Sequence, residues 1–135
     1  MSPKELLIQF YESDIVNNLD LVEQFYHKDC ELHWNSSKDF KILKYKDILD
    51  FFKNINNSYV SLRYEVSHLL EEGSCVTSRH TVYARTIEND DEETPLAHYI
   101  SIWQVKDNKL YRGYQMSQLT NDKAIQSNSF SEIKV

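Results

Sequence analysis

Two side chains in the second half of the chain have the chemistry for polar recognition or proton transfer. Arg79 carries a permanent cation, and an arginine on the inward face of a strand must meet an anion or a carboxylate. His68 could act as a general base, because imidazole is the side-chain group most often used for proton transfer near neutral pH. We therefore take His68 and Arg79 as the catalytic candidates. The plainer alternatives remain open: Arg79 paired with a helix carboxylate such as Asp14 or turned outward, and His68 simply hydrogen-bonded near a strand end.

A second group of side chains, mostly aromatic, alternates along the same strands and suits the wall of a pocket for a flat or cyclic ligand. With Arg79, the predicted ligand-binding residues are Trp34, Tyr64, Tyr83, Tyr99, Ser101, Trp103, Tyr114 and Met116. An ordinary core would use the same residues. Because the rest of this face is neutral, we expect a ligand to direct a carbonyl, carboxylate or other electron-rich oxygen at Arg79.

The elements that position these residues are four runs between Leu62 and Leu119 with the alternation of half-buried strands. The first two runs form a hairpin. A two-residue turn at Glu72 and Gly73 places Arg79 on the inner face, and this is the predicted register. A bulge at Gly73 would instead shift the return strand by one residue. In that alternative register the inward residues are Ser78, His80 and Val82.

The last two runs, Leu96–Val105 and Leu110–Leu119, form a second hairpin around Asp107 and Asn108, which tolerate a left-handed turn conformation. A two-residue turn predicts the inner pairs Val105 with Leu110, Trp103 with Arg112, Ser101 with Tyr114 and Tyr99 with Met116. The opposite, convex face is predicted to form a homodimer. Its apolar residues are expected to be Val76, Val82, Ile100, Ile102 and Tyr111.

Helical periodicity precedes the sheet. Apolar stripes predict a first helix from Ser2 to about Asn17 and a second over Leu19–Tyr26. A short strand follows over Cys30–Trp34, and a third helix begins near Tyr45 and stops at the asparagines from 54 onward. One α+β domain is therefore expected over residues 1–119, with a loosely ordered tail over 120–135.

Composition restricts the partners. The 135 residues carry a net charge of −6 and show no basic face, which argues against nucleic acid. We expect no membrane segment and no signal peptide, because no apolar run approaches a transmembrane span and the chain starts with a helix signal. The two cysteines lack a paired spacing, which favours a reducing cytoplasm. We find no metal-binding spacing among the histidines and no phosphate-binding glycine loop, so no metal or cofactor is predicted.

The order of helices, short strand, helix and long strands resembles the nuclear transport factor 2-like superfamily, and its SnoaL-like branch in particular. The resemblance rests on Asn18–Asp20, Asp29, the strand Val76–Thr81 and the closing strand Lys109–Ser117. It implies an α+β cone, a curved and mainly antiparallel sheet with three N-terminal helices on its concave face. The superfamily contains ketosteroid isomerases, epoxide hydrolases, polyketide cyclases, dehydratases and non-enzymatic binders, so the fold alone does not choose a function.

The sequence departs from the catalytic patterns of this superfamily. Trp34 and Ser101 stand where similar ketosteroid isomerases carry aspartates. Arg79 matches the arginine of the epoxide hydrolases' Arg-x-Asp strand, but Thr81 stands in place of its aspartate. Phe10 is near the place of the oxyanion tyrosine, with Tyr11 as a substitute if the helix is rotated. These departures favour a binder of a small, partly aromatic or cyclic ligand. The alternatives are an isomerase, cyclase or dehydratase acting by proton transfer, and a structural interaction module with a filled core.

Overall fold

The computed structural model of the chain describes residues 1–120. The helices are α1 (Pro3–Glu12), α2 (Leu21–Phe25) and α3 (Tyr45–Ser58). The strands are β1 (Tyr26–Asn35), β2 (Phe40–Lys44), β3 (Tyr59–Glu72), β4 (Cys75–Thr86), β5 (Thr94–Lys106) and β6 (Lys109–Leu119). The predicted tail lies outside the described residues except for Thr120, which bonds the β5 segment through its amide and hydroxyl.

The six strands form one curved, unclosed sheet in the order β2-β1-β6-β5-β4-β3. All neighbouring pairs are antiparallel except β1 with β6, which is parallel. Helix α1 packs against β3 and β4, while α3 packs against β1, β2 and β3. The prediction of an α+β fold with a mainly antiparallel sheet is confirmed. No helix within residues 1–120 is long and apolar enough to cross a membrane.

The two N-terminal helices are shorter than predicted. Ser2 caps α1 by accepting from the Glu5 amide, as the sequence indicates, but α1 ends when Ser13 caps Phe10. Ile15 and Val16 are buried in the following turns rather than in helix. Helix α2 ends at Phe25 because Tyr26 already begins β1. Strand β2 was not predicted, and α3 continues through the asparagines to Ser58.

The predicted register of the first hairpin is wrong. The turn lies at Gly73 and Ser74, so that Glu72 faces Cys75, and a register shift between Val66 and His68 then places Val66 opposite His80. Gly73 supplies the left-handed conformation of this turn, with φ +59°. The alternative register therefore holds for the inner half of β4. Its inward side chains are Ser78, His80 and Val82, while Arg79 turns to the outer face.

The second hairpin begins as predicted and then diverges. Asp107 and Asn108 adopt left-handed φ values of 56° and 58°, and Val105 pairs with Leu110. A register shift between Gln104 and Val105 moves every later pair by one residue on β6. The predicted partners of Trp103, Ser101 and Tyr99 are therefore wrong. The observed pairs are Trp103 with Gly113, Ser101 with Gln115, and Tyr99 with Ser117.

The outer face consequently differs from the predicted dimer surface. Val76 and Val82 are buried, with Val82 in contact with the inner cavity. Ile100 and Ile102 are exposed on the outer face, as predicted. The register shift adds Tyr114 and Met116 to that exposed face.

Candidate functional site

A cavity of ≈ 80 Å³ lies between the helices and the concave face of the sheet. At the roughly 30 Å³ that one water occupies in the liquid, this volume corresponds to about three water molecules. Helices α1 and α3 and all six strands contribute residues to its wall. The lining residues are Phe10, Tyr11, Tyr26, Leu32, Trp34, Leu43, Ile48, Phe51, Phe52, Ile55, Leu62, Tyr64, His80, Val82, Leu96, Tyr99, Trp103 and Gln115.

The wall of this cavity is aromatic and, among residues 1–120, carries no aspartate, glutamate, lysine or arginine. Its rings contact one another in tilted and edge-on arrangements, including Trp34 with Phe51 at 5.5 Å and Tyr26 with Trp103 at 5.8 Å between centroids. The indole Nε1 of Trp34 donates to Ser117 Oγ at 2.8 Å, which fixes that ring across the end of β6. The site is therefore apolar in outline, with a few fixed polar groups.

His80 is the central polar side chain. It is only 3 % exposed, and its ring stacks on Tyr99 with centroids 5.2 Å apart and planes 6° from parallel. The rings of Tyr11 and Tyr64 lie at 4.9 and 5.8 Å from it. Aromatic faces thus hold the imidazole in one orientation inside the cavity.

A short hydrogen-bonded chain reaches one edge of this imidazole. Tyr11 Oη lies 2.6 Å from Ser78 Oγ, and Ser78 Oγ lies 3.0 Å from His80 Nδ1. Tyr11 Oη is also 3.4 Å from the same nitrogen. Helix α1 supplies the tyrosine and β4 supplies the serine and the histidine, so the chain joins the helical layer to the sheet.

Several polar atoms of the wall make no hydrogen bond within residues 1–120. They are His80 Nε2 and the hydroxyls of Tyr26, Tyr64 and Tyr99. None of them is sealed away from open space. A molecule in the cavity can therefore bond them without displacing a protein partner.

Burial keeps these groups uncharged. Desolvation lowers the pKa of His80 to about 3, so the imidazole is neutral at physiological pH. Desolvation also raises the pKa of Tyr99 to about 12 and raises the pKa of Tyr11 and of Tyr64 well above the ordinary value. The hydroxyls therefore keep their protons, and the part of the wall formed by residues 1–120 carries no titrating charge near neutrality.

Four of the predicted ligand-binding residues lie on the cavity wall: Trp34, Tyr64, Tyr99 and Trp103. Ser101 is buried on the same face of β5 and donates to Gln115 Oε1 at 2.9 Å. It therefore does not line the cavity itself but holds the side chain of Gln115, which does. Their assignment as ligand contacts remains a prediction.

The other predicted site residues lie elsewhere. Arg79 is on the outer face, where its Nη1 donates to Ser67 Oγ at 3.0 Å. His68 pairs with Arg79 on that face, and Tyr83 receives the Arg63 guanidinium over its ring. Tyr114 and Met116 are 52 % and 66 % exposed. All five placements follow from the two register shifts, because a slip of one residue moves a side chain to the opposite face.

Three residues of the cavity wall were not among the predicted site residues: His80 and Gln115, which do not face the site in the registers predicted for the two hairpins, and Tyr11 on helix α1. The signal for Gln115 was Gly113, because a glycine inside a strand marks a close approach or a bulge. A Cβ at Gly113 would lie 2.7 Å from the Trp103 ring, which shows how closely the two approach. For His80 the signal was the alternative register, which placed Ser78, His80 and Val82 inward.

The comparisons with known proteins agree with this architecture. The model of the SnoaL-like domain matches residues 8–113. The chain belongs to the SnoaL-like family. Among curated proteins, none matches the sequence significantly. Family membership accounts for the cone and its cavity but does not assign a reaction, because this superfamily holds unrelated activities.

Solved structures of SnoaL-like proteins share the fold at low sequence identity. IdmH of Streptomyces antibioticus, a candidate polyketide cyclase, has a TM-score of 0.70 at 13% identity over 87% of this chain and 92% of that chain. A candidate SnoaL-like polyketide cyclase of Shewanella denitrificans has a TM-score of 0.67 at 9% identity over 96% and 97%. An LEH-like epoxide hydrolase of M. tuberculosis has a TM-score of 0.66 at 10% identity over 85% and 81%. At these identities the likeness concerns the fold alone.

Proposed function

We propose that this SnoaL-like protein binds a small, uncharged organic molecule with a cyclic or aromatic body in the cavity. The observation that carries the proposal is the composition of the wall: aromatic rings, no charged side chain among residues 1–120, and four lining residues with an accessible polar atom that has no hydrogen bond within the described chain. Rings supply apolar contact area, while a few oriented polar groups fix a ligand's position.

The absence of charge in the described wall sets the charge of the ligand. A carboxylate or an ammonium in this cavity would lose its hydration without gaining an opposite charge, which is unfavourable by several kcal/mol in an apolar site. Arg79 does not relieve that cost, because it lies on the outer face. The expectation of a carboxylate directed at Arg79 is therefore withdrawn, while an uncharged carbonyl or similar oxygen remains part of the proposal.

Intrinsic fluorescence tests the proposal, because the two tryptophans of the chain, Trp34 and Trp103, both line the cavity. Three probes of similar size are titrated at pH 7: acetophenone, benzoate and benzylammonium. We expect saturable quenching by acetophenone and at least about tenfold weaker binding of both ions. Benzoate binding as tightly as acetophenone would contradict the proposal.

Two variants locate the binding. Tyr99→Ala removes a ring that stacks on His80 and lines the cavity, so acetophenone should bind more weakly. Arg79→Gln alters the outer face and should leave the acetophenone titration unchanged. The reverse outcome would place the ligand on the outer face.

Proton transfer is the second candidate function, as in an isomerase, cyclase or dehydratase. The observation that favours it is the Tyr11, Ser78 and His80 chain ending at the cavity. His68 and Arg79 cannot serve this reaction from the outer face, so His80 would carry the proton. Binding without chemistry is preferred because a pKa of about 3 makes His80 a weak base.

The third alternative, a structural interaction module, requires a filled core, and the cavity counts against it.

We also propose a homodimer that forms through the outer face of the sheet. Ile100, Ile102, Tyr114 and Met116 are all exposed there, and apolar patches of this kind usually mark interfaces. Sedimentation velocity at micromolar concentration should show a dimer. Ile102→Glu should convert it to a monomer, since a charge would be buried at the interface. A wild-type monomer would overturn this proposal without affecting the cavity.

A reducing cytoplasm is the proposed location. Cys30 and Cys75 are both free thiols, and Cys30 is buried in the core. Microscopy of a tagged full-length chain in its native cell tests this assignment.

A further inference from the structure

We propose that Tyr11 and Ser78 fix the tautomer of His80 so that its Nε2 presents a proton to the cavity, which makes the site selective for molecules with a hydrogen-bond acceptor oxygen. This inference rests on the proposed function, since it names the class of molecule that the same cavity takes. It assigns Tyr11 and Ser78 as specificity-determining residues that act through His80.

The number of protons along the Tyr11, Ser78 and His80 chain determines the tautomer. Tyr11 and Ser78 each have one hydroxyl proton to donate, and His80 Nδ1 is the nitrogen they reach. If Tyr11 donates to Ser78 Oγ and Ser78 donates to Nδ1, both hydroxyl protons are used and the ring proton resides on Nε2. The 2.6 Å separation of the two oxygens is a typical O–H···O distance.

The reversed chain is poorer. If Nδ1 carries the ring proton and donates to Ser78, then Ser78 donates to Tyr11, and the phenolic proton needs another acceptor. Within residues 1–120, Tyr11 Oη has no further acceptor besides Ser78 and His80. A phenol is also a stronger donor than an aliphatic alcohol, which favours Tyr11 at the donating end. Within residues 1–120 the first arrangement leaves one group unpaired, the Nε2–H of His80, whereas the reversed one leaves two, the Tyr11 phenolic proton and the unprotonated Nε2. Buried polar networks therefore favour the first arrangement.

A preference for acceptors follows. With the proton on Nε2, His80 donates to a ligand oxygen and cannot accept from a ligand donor at that atom. The class of molecule that fits is an uncharged ketone, ester, lactone or cyclic ether with an apolar body. A site built to hydrogen-bond such an oxygen discriminates against an isostere that lacks it, because its own polar atom is then left unpaired.

Nitrogen NMR of the ligand-free protein, labelled with ¹⁵N in its histidines, reads the tautomer directly. We expect a protonated, pyrrole-type Nε2 and an unprotonated, pyridine-type Nδ1 for His80 at pH 7. Tyr11→Phe combined with Ser78→Ala should produce a mixture of tautomers. Thr81→Val is the matched control: it removes a buried hydroxyl bonded to a histidine Nδ1 on the opposite face of β4, and it should leave His80 unchanged. A wild-type ring protonated at Nδ1 would overturn the inference whether or not a ligand binds.

A pair of isosteric probes tests the selectivity. Acetophenone and α-methylstyrene differ by the exchange of a carbonyl oxygen for a methylene group. We expect the wild type and Thr81→Val to prefer acetophenone by roughly three- to tenfold, the contribution of one hydrogen bond. The preference should fall toward one in Tyr11→Phe with Ser78→Ala. If the double variant does not fold, Tyr11→Phe alone supplies the comparison. Equal binding of both probes to the wild type refutes the selectivity but leaves cavity binding intact, whereas binding of neither probe refutes the proposed function.

Discussion

Replacing Gly113 by valine is expected to lower the free energy of unfolding by about 3 kcal/mol, the upper range for overpacking a core. A Cβ at this position would lie 2.7 Å from Cη2 and Cζ3 of Trp103 and 2.8 Å from Cε3. Real contacts of this kind are essentially never so short, and the indole is buried at 4 % exposure, so it cannot swing into solvent. The ring must shift into the cavity, and equilibrium unfolding in urea measures the cost.

Two comparisons separate this contact from a general effect of replacing glycine. Gly73→Ala introduces a Cβ with nothing within 4 Å, and its left-handed φ of +59° should cost only about 1 to 2 kcal/mol. In a Trp103→Leu background, Gly113→Val should be less destabilising by about 1 kcal/mol or more, because the clashing ring atoms are gone. Additive effects of the two substitutions would mean that Gly113 and Trp103 do not pack against each other.

Acidification should destabilise the protein steeply through His80. The pKa of His80 is lowered by burial to about 3, whereas a histidine in the unfolded chain titrates near 6.5. Above pH 6.5 both states are neutral and His80 adds no dependence. Between pH 6.5 and about 3 the unfolded state binds a proton that the folded state does not, so the free energy of unfolding falls by up to about 1.4 kcal/mol per pH unit. By pH 4 this one residue should remove about 3 kcal/mol.

The comparison that isolates His80 is its replacement by phenylalanine, which keeps a ring against Tyr99 and does not titrate. Urea unfolding at pH 4, 5, 6 and 7 should give a shallower slope for His80→Phe than for the wild type. The pKa of His98 is also lowered, by burial and then by Arg79, but that contribution is common to both proteins. His33→Gln retains His80 and should retain the steep slope. Parallel slopes for wild type and His80→Phe would show that His80 is not buried in its neutral form.

The fold was readable from the sequence because its signals are local. Strand-forming residues predict β4 at its observed bounds, Cys75–Thr86, and helical spacing starts α3 at Tyr45. Asp107 and Asn108 predict the left-handed turn that they form. Short elements were harder. Strand β2, Phe40–Lys44, is held by pairing with β1 rather than by its own pattern, so only the tertiary partner reveals it.

The site was only partly readable, because its residues depend on register. Tyr99 and Trp103 lie on the cavity wall as predicted, since β5 keeps the face that its own alternation predicts. The register shifts near Ser67 and Tyr111 cannot be predicted from the hydrophobic pattern of the strands in which they occur. A shift of one residue exchanges Arg79 for His80 and Tyr114 for Gln115, which changes a cationic site into a neutral one. The charge of the predicted ligand changed for that reason.

The most direct test of the central claim, that an uncharged molecule binds beside His80 inside the cavity, is NMR of the protein saturated with acetophenone. We expect intermolecular NOEs from the acetophenone methyl group to the rings of Trp34 and Tyr99, together with a shift of the His80 Nε2 resonance. NOEs to Ile100 and Ile102 instead, with His80 unperturbed, would place the ligand on the outer face and refute binding in the cavity.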